Sequence, residues 1–231
     1  MKLQKFARQA GFTLVEIAIV LVIIGLLLVG VLQGQEMIEN TKTKSIVSDM
    51  KSVQAAYNSY LDRYKVPPGD EANATFVARG WPAAMSNAGG GNGILTMPVA
   101  NTFTNAAAAE NESFWQALRA AGFLSGSSTD VGTAALPKHS ANGLIGVSTG
   151  TVYGMVGVFV CASGLTTKQA AAVDTMIDGP LPATNIGNNV GNMRGINGAG
   201  NPLAPVAGVP AATAYNETTQ VNPWTLCMKI G

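Results

Sequence analysis

Charged side chains are scarce in this sequence, and histidine is nearly missing. Asp, Glu, Lys and Arg make up 12% of the 231 residues, and the formal net charge is +1. An average globular domain has about 25% charged residues. A chain with this balance offers no basic surface to attract nucleic acid and no acidic excess. The composition therefore indicates neither a nucleic-acid partner nor a highly charged substrate.

The residue combinations on which most catalytic sites depend are also missing. The sequence contains no HExxH, CxxC, P-loop or GxSxG pattern. Its one histidine, His139, lies in a loop with Pro and Ser, where we expect it to be solvated. Asp174 and Asp178 are candidate calcium ligands, but two acids supply too few oxygens for an ion that takes about six to eight. We therefore predict no enzyme activity, no cofactor and no metal site.

Only two cysteines are present, Cys161 and Cys227. In an exported chain they would form one intramolecular disulfide. In a reducing compartment they would be two buried free thiols. The N-terminal sequence decides between these alternatives.

What the sequence does contain is a long apolar run behind a short basic leader. Residues 1–11 hold three basic side chains and no acid, and residues 12–32 are apolar except for Thr13 and Glu16. A helix of this length spans roughly 32 Å, close to the hydrocarbon core of about 30 Å. Basic flanks stay in the cytoplasm. The pattern therefore predicts a membrane helix with the rest of the chain outside, which favours the disulfide.

Two ordinary explanations of the apolar run fit poorly. A secretory signal peptide has an apolar stretch of about 7–15 residues with a small-x-small cleavage site after it, whereas this run is longer and has no such site. A plain signal anchor explains neither Gly11 nor Glu16. A charged side chain at the bilayer centre costs on the order of 2.5–3.5 kcal/mol, so Glu16 either lies near the membrane surface or has a partner. If the chain began at Phe12, a free amino group would lie one helical turn from Glu16, and that of a neighbouring subunit would neutralise the carboxylate.

The stretch GFTLVEIAIVLVIIGLLLVGVLQGQ resembles the prepilin signature of type IV pilins and type II secretion pseudopilins. The resemblance implies that a prepilin peptidase cuts between Gly11 and Phe12 and methylates the new N-terminal Phe12. It also implies that Glu16 guides the docking of subunits and sets their register during assembly.

The same resemblance implies a fold and a setting. The fold would be α+β, with a long N-terminal helix whose apolar half protrudes, packed on a small antiparallel sheet, and a C-terminal region closed by the disulfide. The partners would be other copies of the chain in a helical filament, the peptidase, membrane lipid and the inner-membrane assembly machinery. The precursor would lie in the bacterial inner membrane, and the mature subunit in an extracellular pilus or a periplasmic pseudopilus.

The chain should divide into a leader, a two-part helix and a head. We predict a cleaved leader at 1–11, a membrane and assembly helix at 12–34, an amphipathic continuation at 35–66 and a globular head at 67–231. Apolar residues recur at three- and four-residue spacing over 35–64, and two prolines follow residue 66. Each glycine in the apolar half weakens the helix by about 1 kcal/mol. The glycines are compatible with two different consequences: local melting of the helix around Gly30–Gly34, or close packing of neighbouring helices there.

The head sequence predicts a mixture of helices and strands. We expect helices at 112–124 and 166–177, strands within 143–162 joined by a hairpin turn around Ser148–Gly150, a surface loop at 183–213 and a last strand in WTLCMKI. Thr166 or Thr167 should cap the second helix.

Three functions compete on this evidence. The first is a structural pilin of an extracellular filament. The second is a type II secretion pseudopilin or a minor pilin, which the sequence does not separate from the first. The third is a periplasmic binding domain held by a signal anchor. Whether a filament would serve adhesion, motility, DNA uptake or secretion is not encoded in any motif found here.

Overall fold

The computed structural model describes residues 13–83, 85, 89–105, 109–184 and 186–231. The chain divides into two units, the first ending at Thr41 and the second comprising Lys42–Gly231. Its helices are α1 (Leu14–Tyr64), α2 (Asn73–Ala78), α3 (Glu110–Ala120) and α4 (Thr167–Asp178), with short 3-10 turns at Val99–Asn101 and Gly132–Ala135. Its strands are β1 (Ile145–Val152), β2 (Met155–Leu165), β3 (Met193–Asn197) and β4 (Trp224–Lys229).

The part of α1 that follows residue 41 is amphipathic, as the spacing predicts. Its buried face consists of Thr43, Ile46, Val47, Met50, Val53, Ala56, Tyr57 and Tyr60. All of these except Thr43 share one hydrophobic core with Val147 of β1, Val160 of β2 and Leu226 of β4. A long N-terminal helix and an antiparallel sheet therefore form an α+β fold, and the predicted fold class is confirmed.

The four strands form one antiparallel sheet in the order β1-β2-β4-β3. The turn between β1 and β2 lies at Tyr153 and Gly154, so the prediction of a hairpin turn around Ser148–Gly150 is wrong. Ser148 and Gly150 instead continue β1, paired with Phe159 and Gly157. Both turn residues have positive φ, 51° and 76°, as a two-residue hairpin of this kind requires. Burial of the Tyr153 side chain, whose hydroxyl donates to the Thr225 carbonyl at 3.2 Å, fixes the turn at this position.

In the C-terminal region the predicted last strand is present, but the predicted loop at 183–213 contains a strand. The predicted last strand in WTLCMKI is β4, which pairs with β2. The region 183–213 is not all loop, because it contains β3, which pairs with β4. Asp178 Oδ2 accepts a hydrogen bond from the backbone nitrogen of Met193 at 2.7 Å and holds the start of β3.

His139 is buried, so the expectation of a solvated side chain is wrong. Its Nδ1 accepts from the Ala141 backbone nitrogen at 3.2 Å, and its Nε2 lies 2.8 Å from the Ser163 carbonyl oxygen. These partners require the neutral ring to donate through Nε2. Burial lowers the pKa of His139, while the Ser163 carbonyl and Asp49 act in the opposite direction. The ring therefore joins two backbone segments.

Helix α4 begins where the sequence predicts. Thr166 is its N-cap, and its side chain accepts from the Gln169 backbone nitrogen at 3.2 Å while the Gln169 side chain accepts from the Thr166 backbone nitrogen at 3.1 Å. This reciprocal capping box satisfies two of the backbone N–H groups that a helix start leaves unpaired.

Replacement of Thr166 by alanine should lower the free energy of unfolding by about 1 kcal/mol, because the cap of α4 is lost. Urea unfolding followed by circular dichroism measures the change. The conservative variant Thr166→Ser keeps the hydroxyl and should remain within a few tenths of a kcal/mol of the wild type. Equal stability of the alanine variant would contradict a capping role.

Candidate assembly site at the start of the apolar helix

A second capping box lies at the first turn of α1. Thr13 precedes the helix, and its hydroxyl accepts from the Glu16 backbone nitrogen at 3.2 Å. The Glu16 carboxylate in turn accepts from the Thr13 backbone nitrogen and the Thr13 hydroxyl, each at 2.8 Å. One oxygen, Oε2, receives both of these bonds. The carboxylate is thus held at the N-terminal end of the helix, where the helix dipole favours negative charge.

Thr13 is a site residue that the sequence reasoning missed. The interpretation of the apolar run treated Thr13 only as an interruption. The signal was available, because Thr13-Leu14-Val15-Glu16 matches the Ser/Thr-x-x-Glu pattern of a capping box before an apolar run.

The proposed cleavage and methylation positions, Gly11 and Phe12, lie outside the described residues. The structure places Glu16 on α1 with an exposed side chain. The proposed pairing of Glu16 with a Phe12 amino group therefore stays a prediction.

The apolar part of α1 is exposed along its whole length. Leu14 is 90% exposed, and the large aliphatic side chains from Val15 to Leu32 are all exposed as well. An 18-residue window of α1 has a mean hydropathy of 3.1, so the helix is long and apolar enough to cross a membrane by length and composition. The helix continues without interruption through Gly30 and Gly34. Surface of this kind needs lipid or other protein to cover it.

Disulfide-bonded Cys161 and Cys227 close the C-terminal region. The two residues are direct partners in the register between β2 and β4, and both are fully buried. The structure thus contains the predicted disulfide, which joins the second strand of the sheet to the last.

The acids that were considered for calcium are engaged by protein donors. Asp174 accepts from the Tyr215 hydroxyl at 2.7 Å, and Asp178 accepts from the Met193 backbone nitrogen at 2.7 Å. Within the described ranges, no three His, Cys, Asp or Glu side chains are grouped so that they could hold a metal ion.

One shallow apolar groove on the head was not predicted. It is lined by Tyr57, by the segment 93–98 and by the facing hairpin residues Thr149, Val156 and Val158. Two of its lining residues, Ile94 and Val156, are largely exposed. None of the residues that line this groove carries a charged side chain.

Comparison with known proteins also points to the start of the apolar helix. The model of the prokaryotic N-terminal methylation motif matches residues 6–32. No curated protein and no solved structure matches the chain. The matched range begins within the basic leader and ends inside the exposed apolar part of α1, and it includes the Thr13–Glu16 capping box. The chain therefore carries the prepilin signature of type IV pilin-like and pseudopilin precursors at residues 6–32.

Proposed function

We propose that this chain is the precursor of a structural subunit of a type IV pilus-like filament. A prepilin peptidase cuts it between Gly11 and Phe12 and methylates Phe12, and the mature subunit polymerises through its N-terminal helix. The observation that carries the proposal is the coincidence of the methylation motif at 6–32 with an exposed apolar helix that begins at Leu14.

Cleavage and assembly form one chemical sequence in this proposal. Before assembly, the capping box gives the Glu16 carboxylate two donors, which offsets part of the cost of placing a charge in an apolar segment. Cleavage creates an amino group at Phe12. In the filament, the Phe12 amine of one subunit pairs with Glu16 of a neighbour, and the pair replaces the local hydrogen bonds.

Burial of apolar surface holds the assembled helices together. Outside the membrane, each large aliphatic side chain is stabilised by about 1.5–3 kcal/mol when it is buried rather than exposed to water, which opposes dissociation of the filament. The exposed side chains from Leu14 to Leu32 are covered by lipid in the precursor and by neighbouring helices in the filament. The glycines of this segment allow close approach of the helices.

The proposal also specifies the type of protein, its partners and its location in the cell. The subunit is structural and not an enzyme. Its partners are the peptidase, the inner-membrane assembly machinery and other copies of the chain. The precursor lies in the inner membrane with its head outside, and the mature form lies in a filament. A pseudopilus or a minor-subunit position uses the same motif and the same steps, and counting this subunit in purified filaments separates these cases from a major pilin.

Mass spectrometry of the mature N-terminus tests the processing step. We expect a chain that begins at Phe12 and is one methyl group heavier than the unmodified sequence. The variant Gly11→Val should keep Met1, because the bulky side chain blocks the cleavage position. The same wild-type gene expressed without a prepilin peptidase is the matched control and should also keep Met1. An intact or differently cut wild-type chain in the native host would favour a signal-anchored periplasmic domain instead.

A further inference from the structure

The end of helix α4 presents two carboxylates to the same segment of chain, residues 187–215. Asp174 and Asp178 lie one helical turn apart. Asp174 is only 2% exposed and accepts the Tyr215 hydroxyl at 2.7 Å, while Asp178 accepts the Met193 backbone nitrogen. The segment therefore docks on α4 through one hydrogen bond to each acid.

Glycines let the segment approach both acids closely. A Cβ atom at Gly187 would lie 2.6 Å from Asp174 Oδ2, and one at Gly191 would collide with Asp178 Oδ2. The Tyr215 ring also packs on Trp224 of β4, with 4.8 Å between ring centroids. Asp174 is thus contacted by the backbone at Gly187 and by the Tyr215 hydroxyl, and its burial leaves water little access to it.

No positive charge compensates this pair in the part of the chain that the structure describes. No Lys, Arg or His side chain there forms an ion pair with Asp174 or Asp178. The strands that contact α4 carry Arg194, which donates to the Gly191 and Tyr153 carbonyls, and Lys229, whose side chain lies against Gly157. A buried carboxylate without a cation is costly when it is ionised.

The titration of Asp174 follows from this environment. Burial raises its pKa to about 6, the hydrogen bond from Tyr215 acts against the rise, and the negative charge of Asp178 adds to it. Since the pKa is raised in the docked state, protonation favours docking. The stabilisation of docking by protonation of Asp174 is fully present below its ordinary pKa of 3.8 and is lost as the pH rises through about 6.

We propose that Asp174 makes the docking of residues 187–215 on α4 proton-linked, so that uptake of one proton tightens this surface segment and its loss loosens it. Every group in this linkage belongs to the second unit, so the linkage can be measured on the unassembled protein. On an exported head, it would let the acidity of the surroundings set how firmly the C-terminal segment and β3 are held.

Hydrogen exchange of the full-length protein in detergent micelles, with a chelator present, tests the proposal. Protection factors of amides in 187–215, corrected for the intrinsic pH dependence of exchange, should fall about tenfold between pH 5 and pH 7.5. The variant Asp174→Asn cannot ionise and keeps an acceptor for Tyr215. It should show the same protection at both pH values, higher than that of the wild type at pH 5, because at pH 5 the undocked Asp174 carboxyl of the wild type, with its ordinary pKa of 3.8, is already mostly ionised.

Matched variants make the result specific. Asp62→Asn removes an exposed carboxylate of α1 and should keep the full wild-type pH dependence. Tyr215→Phe removes the donor that stabilises the ionised form and should move the loss of protection to higher pH. Wild-type protection that does not change with pH, or an Asp174→Asn variant that keeps the wild-type dependence, would overturn the proposal.

Discussion

Replacement of Glu16 by alanine is expected to leave the subunit in the membrane and to abolish its filaments. Breaking one partner of a buried ion pair costs about 3–5 kcal/mol, because the Phe12 amine of the neighbour would be buried without its counter-charge. Insertion into the membrane should not suffer, because alanine makes the segment more apolar. Fractionation of membranes, combined with quantification of sheared filaments, measures both effects.

Two further variants separate the charge of Glu16 from its capping role. Glu16→Gln keeps a side chain that can complete the capping box with Thr13 but removes the charge, so it should also fail to assemble. Thr13→Val removes the hydroxyl that caps α1 and keeps the charge, so filaments should form, with a helix start weakened by about 1 kcal/mol. Normal filaments from Glu16→Gln would rule out the ion pair. Loss of filaments only in Thr13→Val would assign the role to the cap.

Removal of the disulfide is expected to lower the free energy of unfolding of the head by about 4 kcal/mol. Cys161 and Cys227 are separated by 66 residues, and closing a loop of that length restricts the unfolded chain by about this amount in the chain-entropy description. Stability losses of this size exceed what most single surface substitutions cause. Denaturant unfolding of the oxidised protein and of the double variant Cys161→Ala with Cys227→Ala measures the difference.

The reduced wild-type protein is the control for packing. It keeps both sulfur atoms in the buried sheet and loses only the covalent link, so it should show most of the destabilisation of the double alanine variant. A reduced protein as stable as the oxidised one would show that β2 and β4 are held by pairing and burial alone. A large loss only in the alanine variant would attribute the effect to cavities, which cost several kcal/mol in well-packed cores.

Elements governed by local sequence were predictable. The apolar periodicity of residues 46–60 gave the buried face of α1, because side chains three and four positions apart share one face of a helix. Thr166 was predictable as a cap, since its hydroxyl bonds a backbone nitrogen three residues away. The capping box of Thr13 and Glu16 is just as local and could have been found. The cleavage and methylation of residues 11 and 12 remain predictions.

Elements that depend on distant partners were not predictable. The hairpin turn lies at Tyr153 rather than around Ser148–Gly150 because the Tyr153 hydroxyl bonds Thr225, which is 72 residues away. Strand β3 has no strong β pattern of its own and forms because β4 supplies its pairing partners. His139 is buried by its bond to Ser163, 24 residues away.

The sequence by itself determined the membrane-length helix, its prepilin signature and the number of possible disulfides, since each depends on composition, short-range order or a count of cysteines. Only the tertiary structure decided that Asp174 would be buried against Tyr215, 41 residues away, with Asp178 as its charged neighbour. Burial and the distances between charged groups are set when segments that are distant in sequence pack together. The pKa of a side chain depends on that packing as much as on the type of residue.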